Sequence, residues 1–226
     1  RLGRDGIRPL ISSPHLKRLK KLSIGFDWIG PDAVRAIAQA PHLRTLEALL
    51  LSQCKLSTDA IYHLAESPHL GNLRALDVSF IEMTEDALLA LAQSPAMQNL
   101  ETLNLQGCKI TDRMLAAFVE EPDIEKLSTL ELAFNPITDK GAKAIAKSPH
   151  LANLTRLHLV HDAKRETSNE DPTATIAVGR EGLHALLASP HLSEPVRGYY
   201  RRFLEPYLLE DTDPEDDEDT DTRGSH

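Results

Sequence analysis

Leucine or a near equivalent recurs along this chain in two alternating spacings. In one the apolar residues stand three and then two apart, as in Leu73, Leu76 and Val78 or Leu100, Leu103 and Leu105. In the other they follow an i, i+1, i+4, i+5 rhythm, as in Ala60, Ile61, Leu64 and Ala65, then Ala87, Leu88, Leu91 and Ala92, then Met114, Leu115, Phe118 and Val119. The second rhythm puts four apolar side chains on one face of a helix. The first fits a short strand whose side chains point alternately inward and outward. Ser57, Thr84, Thr111 and Thr138 stand just before the helical pattern, where a side-chain oxygen can accept from the orphan amides of a first turn.

A proline marks each change from helix to strand pattern: Pro14, Pro41, Pro68, Pro95, Pro122 and Pro149, each 27 residues from the next. Proline cannot continue a helix and turns the preceding residue away from helical angles, so it ends one helix and releases the chain into the next strand. A period this strict predicts a solenoid of stacked coils. Counted from each proline, apolar residues fall at +5, +8 and +10, and again at +15 as Ile29, Leu56, Met83, Ile110 and Ile137. Position +13 holds Cys54, Cys108 and Asn135, with Asp27 and Asp162 as polar substitutes and Ile81 as a departure. The next equivalent proline, Pro190, follows Pro149 after 41 residues, one period plus a 14-residue insertion.

The resulting pattern, L-x-x-L-x-L-x-x-[N/C]-x-L and then a helix, resembles the leucine-rich repeat proteins of the ribonuclease-inhibitor-like class. It is most similar to the bacterial variety whose repeats carry S-P-H-L before the strand. The resemblance spans roughly residues 2 to 192 and implies an α/β solenoid, a right-handed horseshoe with a parallel sheet on its concave face and helices on its convex face. The expected organisation is a leucine-rich repeat domain over 1–192 with an insertion loop at 163–176, and a C-terminal cap over 193–209. Beyond these are expected a solvated acidic tail over 210–222 and a tag remnant, RGSH, over 223–226. Arg1 enters in the middle of a repeat, and the native chain is therefore expected to be longer.

If +8 and +10 face the core, then +7, +9 and +11 face outward. Six strands about 4.8 Å apart give an exposed strip roughly 25 to 30 Å long, which suits a protein or peptide better than a small metabolite. At +12 stand Phe26, Phe80 and Phe134, with His161 in the last coil. Two readings are open for these phenylalanines. They cover neighbouring repeats, or they are apolar anchors for a partner, since aromatic residues concentrate binding energy at interfaces. The expected partner-binding set is Phe26, Leu50, Asp77, Phe80, Asn104, Gln106, Glu131, Phe134, Arg156, His158 and His161.

Composition changes the picture in one place. The net charge of −9 arises largely from Glu210 to Asp221, a run of nine acids and no base, so the rest of the chain is near neutral. Such a run solvates, repels nucleic acid and attracts basic protein surfaces. Before it, VRGYYRRFLEPYLLE places Tyr200, Phe203, Leu204, Tyr207 and Leu208 at helical spacing, with Pro206 expected to break or kink the helix. This segment is expected to cover the open apolar end of the last coil.

Cys54 and Cys108 occupy the same position two coils apart, about 10 Å by strand spacing, too far for a disulfide. Reduced, buried thiols fit a cytoplasmic setting. His15, His42, His69, His150 and His191 form a ladder at +1, where a histidine satisfies local backbone groups more readily than a metal. The acidic run lacks the glycine and terminal glutamate of a calcium loop. The chain has no phosphate-binding glycine loop, no G-x-S-x-G elbow and no apolar run long enough to span a bilayer. The expectation is a non-enzymatic, monomeric protein-recognition module without metal or cofactor, binding neither nucleic acid nor membrane. The alternative is a regulator of a small GTPase, because pairing such repeats with an acidic C-terminal segment resembles the Ran GTPase-activating proteins.

Overall fold

The computed structural model describes residues 7, 9–25, 29–96, 98–159 and 178–210. The insertion at 163–176, the acidic run beyond Glu210 and the final RGSH lie outside the described residues. Six strands, β1 (Lys21–Ser23), β2 (Ala48–Leu50), β3 (Ala75–Asp77), β4 (Thr102–Asn104), β5 (Thr129–Glu131) and β6 (Arg156–His158), alternate with helices. These are α1 (Gly30–Ala38), α2 (Thr58–Ala65), α3 (Glu85–Ala92), α4 (Asp112–Phe118), α5 (Asp139–Lys147) and α6 (Arg180–Ala188), followed by the longer α7 (Glu194–Glu210).

The strands make one parallel sheet in chain order. Its register is the 27-residue period itself: Lys21 pairs with Ala48, then Ala75, Thr102, Thr129 and Arg156 follow in line. Leu22, Leu49, Leu76, Leu103, Leu130 and Leu157 therefore stack as one buried row, and the inward residues of the helices pack against it in a single apolar cluster from Ile7 to Tyr200. Each such side chain contributes roughly 1.5 to 3 kcal/mol on burial. The α/β solenoid read from the periodicity is the fold.

The corners explain the serine of S-P-H-L. Ser67 Oγ donates to the Ala38 carbonyl at 2.6 Å and accepts from the His69 amide at 3.2 Å. Ser148 makes the equivalent pair with Val119 and His150, and Ser189 with Ala146 and His191. Each hydroxyl ties a corner to the end of the preceding coil's helix. Ser94, at the same position, is buried and its hydroxyl has no hydrogen-bond partner. The +1 histidines act similarly: His42 Nε2 lies 2.6 Å from the Ile11 carbonyl, and His150 Nδ1 lies 2.9 Å from Glu125.

Two further ladders fix the register. Asn72, Asn99 and Asn153 each donate a side-chain amide to a backbone carbonyl of the preceding coil at 2.8 to 2.9 Å. At +6 the charges alternate, with Lys20 bonded to Glu47 at 2.6 Å and Arg74 to Glu101. The Lys20 ammonium holds the Glu47 carboxyl below the usual carboxylate range.

Helix starts differ from the expected caps at Ser57. Thr84, Thr111 and Thr138 accept from Ala87, Met114 and Lys140 amides, whereas Ser57 Oγ turns to Asp59, two residues on. A second cap comes from the previous coil. Asp112 accepts from the amides of Thr138 and Gly141 at 2.8 and 2.9 Å, and Asp139 from those of Gly179 and Gly182 at 2.6 and 3.0 Å. A Cβ at Gly141 or Gly182 would lie 2.6 Å from the capping carboxylate oxygen, so glycine is what admits it.

Beyond β6 there is no further strand among the described residues. The Tyr200 hydroxyl instead donates to the Leu157 carbonyl at 3.0 Å and accepts from the Leu159 amide at 3.1 Å. Burial pushes the Tyr200 phenol well above its ordinary range. Pro206 does not end α7, which continues to Glu210.

Candidate functional site: the sheet face and its loop rim

Of the outward positions, +9 matches the expectation best. Ser23 is exposed, and Leu50, Asp77, Asn104, Glu131 and His158 are half-buried on the sheet face. Two of these side chains are already engaged: Asp77 accepts from the Ser79 amide at 2.9 Å and Asn104 from the Gln106 amide at 3.0 Å, each closing the turn that ends its strand. Gln106 is half-buried and Arg156 exposed.

Three positions expected to face solvent are buried: Ser79, Thr129 and Ala133. Thr129 Oγ1 accepts from Arg156 Nε at 3.2 Å, so the arginine covers it. Ser79 donates to Ser52 at 2.9 Å across the coils. Ser79 and Ala133 immediately precede residues whose backbone turns through positive φ, which tucks the +11 side chain against its neighbours.

That turn is common to four successive coils. Gln53, Phe80, Gly107 and Phe134, all at +12, have φ of 56°, 60°, 64° and 59°. Phe80 and Phe134 are 42% and 45% exposed, although they belong to different coils two steps apart. Their rings still meet, with centroids 6.3 Å apart and planes tilted by 43°. Gly107 lies between them, and a Cβ there would stand 2.6 Å from Phe80 Cδ1. The glycine lets the Phe80 ring lie down over the intervening coil. Phe26 and His161, the other +12 residues of the expected set, lie outside the described residues.

At the far end of the sheet, His158 Nδ1 lies 3.0 Å from Glu131 Oε2 and the imidazole meets the Tyr199 ring edge-on, centroids 6.4 Å apart. Glu131, Arg156, His158, Pro195, Tyr199 and Arg202 border a cleft of about 310 Å³ between β6 and α7. Sequence reasoning missed Tyr199 and Arg202, which it assigned only to the terminal helix; the signal was the pairing of aromatic and basic residues in GYYRR.

The +13 thiols face inward. Cys54 Sγ donates to the Ile24 carbonyl at 2.6 Å and Cys108 Sγ to Val78 at 3.3 Å, while Asn135 donates to Leu105 and accepts from Ile110. Burial pushes the Cys108 thiol up to about 11. Among the described residues, no three His, Cys, Asp or Glu side chains gather as metal ligands, and no helix is long and apolar enough to cross a membrane.

A six-stranded parallel sheet in chain order, backed by one helix per coil and locked at a 27-residue register, is the architecture of a leucine-rich repeat protein. Residues 11–170 match the PRAME C-terminal domain, and the chain belongs to that family. Among solved structures it is similar to an internalin (inlF) from Listeria monocytogenes str. 4b F2365, at 18% identity and a TM-score of 0.48. That match covers 82% of this chain and 49% of the internalin, so the chain spans about half the length of that protein. No curated protein matches the chain.

Proposed function

We propose that this chain is a non-enzymatic recognition module that binds a protein or peptide partner on its sheet face and adjoining loops. Phe80 and Phe134 act as apolar anchors, with Leu50, Asp77, Asn104, Gln106, Glu131, Arg156 and His158 as the surrounding contacts. Phe26 and His161 belong to the proposed contact set through their +12 place in the repeat. The repeats are of the ribonuclease-inhibitor-like class, residues 1–192 form the binding scaffold, and the module works as a cytoplasmic monomer.

The observation that carries this reading is the mismatch between backbone and side chain at +12. Left-handed backbone costs a β-carbon-bearing residue roughly 1 to 2 kcal/mol, and glycine escapes that cost. The chain uses glycine at Gly107 and a polar residue at Gln53, yet places phenylalanine twice where nearly half of each residue stays exposed. Backbone geometry gives no reason for an aromatic ring there. Exposed aromatics in a rigid patch supply large contact area at small entropic cost, the property of interface anchors. The GTPase-regulator alternative rests on the acidic segment, which lies outside the described residues, and no observation favours it.

The test replaces both anchors by the residue the chain itself uses at this turn, Phe80→Gln with Phe134→Gln. Proteins captured by the wild-type chain are identified and their affinities compared. Loss of at least about tenfold for a directly binding partner, about 1.4 kcal/mol, is expected from removing two anchors, with cooperative melting retained. Unchanged affinity for every partner would overturn the proposal.

A further inference from the structure

Among the described residues, the cleft between β6 and α7 is bordered by two arginines and one carboxylate on opposed elements. Arg156 rises from the last strand and Arg202 from the terminal helix, both exposed, and neither has an ion-pair partner among the described residues. The neighbouring arginines of α7 are paired, since Arg197 and Arg201 both bond Glu194, at 3.2 and 3.1 Å. Among the described residues the one carboxylate bordering the cleft is Glu131, and His158 engages it. Two guanidinium groups are therefore left facing one opening, and guanidinium binds carboxylate in a planar fork.

The same edge lacks a backbone partner. In the five preceding coils the carbonyls of Lys20, Glu47, Arg74, Glu101 and Ser128 each accept two amides from the coil that follows. Thr155 is the sixth in that series and borders the cleft, but its carbonyl accepts no amide among the described residues. The Tyr200 hydroxyl bonds Leu157 and Leu159. What fits is an extended segment that brings carboxylates for the two arginines and a backbone amide for Thr155.

We propose that the occupant is the chain's own acidic run, residues 211–221, folding back in cis. Arg202 precedes the end of α7 at Glu210 by eight residues, which is about 12 Å along a helix. Eleven residues of extended chain reach roughly 36 Å, ample for the return. Eight of the acids in the run Glu210 to Asp221 follow Glu210, and tethering holds them at an effective concentration in the millimolar range. The inference concerns one end of the strip proposed above as a partner surface. Its test reads tail binding and the preceding one reads the phenylalanine anchors, so the two can fail separately.

The experiment uses the full chain in two forms, native and with every acid from 211 to 221 replaced by its amide. The probe is a fluorescent peptide of sequence EDTDPEDDEDTD. Saturable, salt-sensitive binding is expected to the neutralised chain and at least about tenfold weaker binding to the native chain, where the tethered segment competes. Adding Arg156→Gln and Arg202→Gln to the neutralised chain is expected to weaken binding about tenfold or more with cooperative melting retained. Equal binding to both forms would overturn the proposal and assign the cleft to an acidic segment of another molecule. Absence of binding to either form, or binding indifferent to the two arginines, would overturn it as well.

Discussion

Tyr200 stands to Leu157 as a seventh strand would. Its hydroxyl donates to the Leu157 carbonyl at 3.0 Å and accepts from the Leu159 amide at 3.1 Å, so one side chain answers two groups of the open sheet edge. A solenoid that stops must hide its last apolar row and satisfy its last strand. The fully buried phenol does both, and α7 is the lever that holds it there.

Tyr200→Phe keeps the ring and removes the hydroxyl. It leaves two buried backbone groups without a partner, and the expected loss is about 1 to 3 kcal/mol in urea unfolding. Hydrogen exchange at Leu159 should accelerate more than at Leu105, its counterpart two coils inward. A variant as stable as the parent would show that water serves this edge equally well.

The serines at the corners offer a paired test at equivalent positions. Ser67 bridges Ala38 and His69, so Ser67→Ala leaves the Ala38 carbonyl unmet and is expected to cost about 1 to 2 kcal/mol. Ser94 is as buried but unpartnered, and Ser94→Ala is expected to be neutral or slightly stabilising because a buried hydroxyl without a bond is itself unfavourable. Denaturant midpoints of the two variants should differ clearly and in that order.

The contrast between these serines also marks where the sequence stops being legible. The leucine rows and the prolines announce register and sheet order because burial tolerates no slip of an inward side chain. Whether an outward residue stays outward depends on backbone angles one position further on, and those are set by tertiary contacts. Ser79 and Ala133 were expected in solvent for that reason and are buried. The approach of Phe80 to Phe134 depends on Gly107 in a third coil, a relation among residues 27 apart that no local pattern displays. Asp112 and Gly141 left a faint signal, an acid at a helix start matched by a glycine one coil later.

Gly107 is accordingly the residue whose change should disturb both phenylalanines of the rim without replacing either. A methyl group at Gly107 would collide with Phe80 Cδ1 at 2.6 Å and must also accept φ of 64°. Gly107→Ala is expected to lower stability by about 1 to 3 kcal/mol and to shift the aromatic resonances of Phe80 and Phe134 together. If the two rings respond independently, they do not form one patch.

Alkaline pH provides the last test, through groups that folding keeps protonated. The Cys108 thiol is raised by burial to about 11, whereas an unfolded thiol ionises near about 8.5. The unfolded chain therefore binds fewer protons above that pH, and stability falls as pH rises through the window between the two values. Below about 8.5 both forms are protonated and the contribution is fully present; by pH 11 the loss approaches about 3 kcal/mol. Tyr200, also raised by burial, adds a loss of the same sign above about pH 10. Cys108→Ala lowers the starting stability by opening space in the core, so the measurement is the slope of unfolding free energy against pH from 8 to 10. That slope should flatten in the variant, and an unchanged slope would place the Cys108 thiol in contact with solvent.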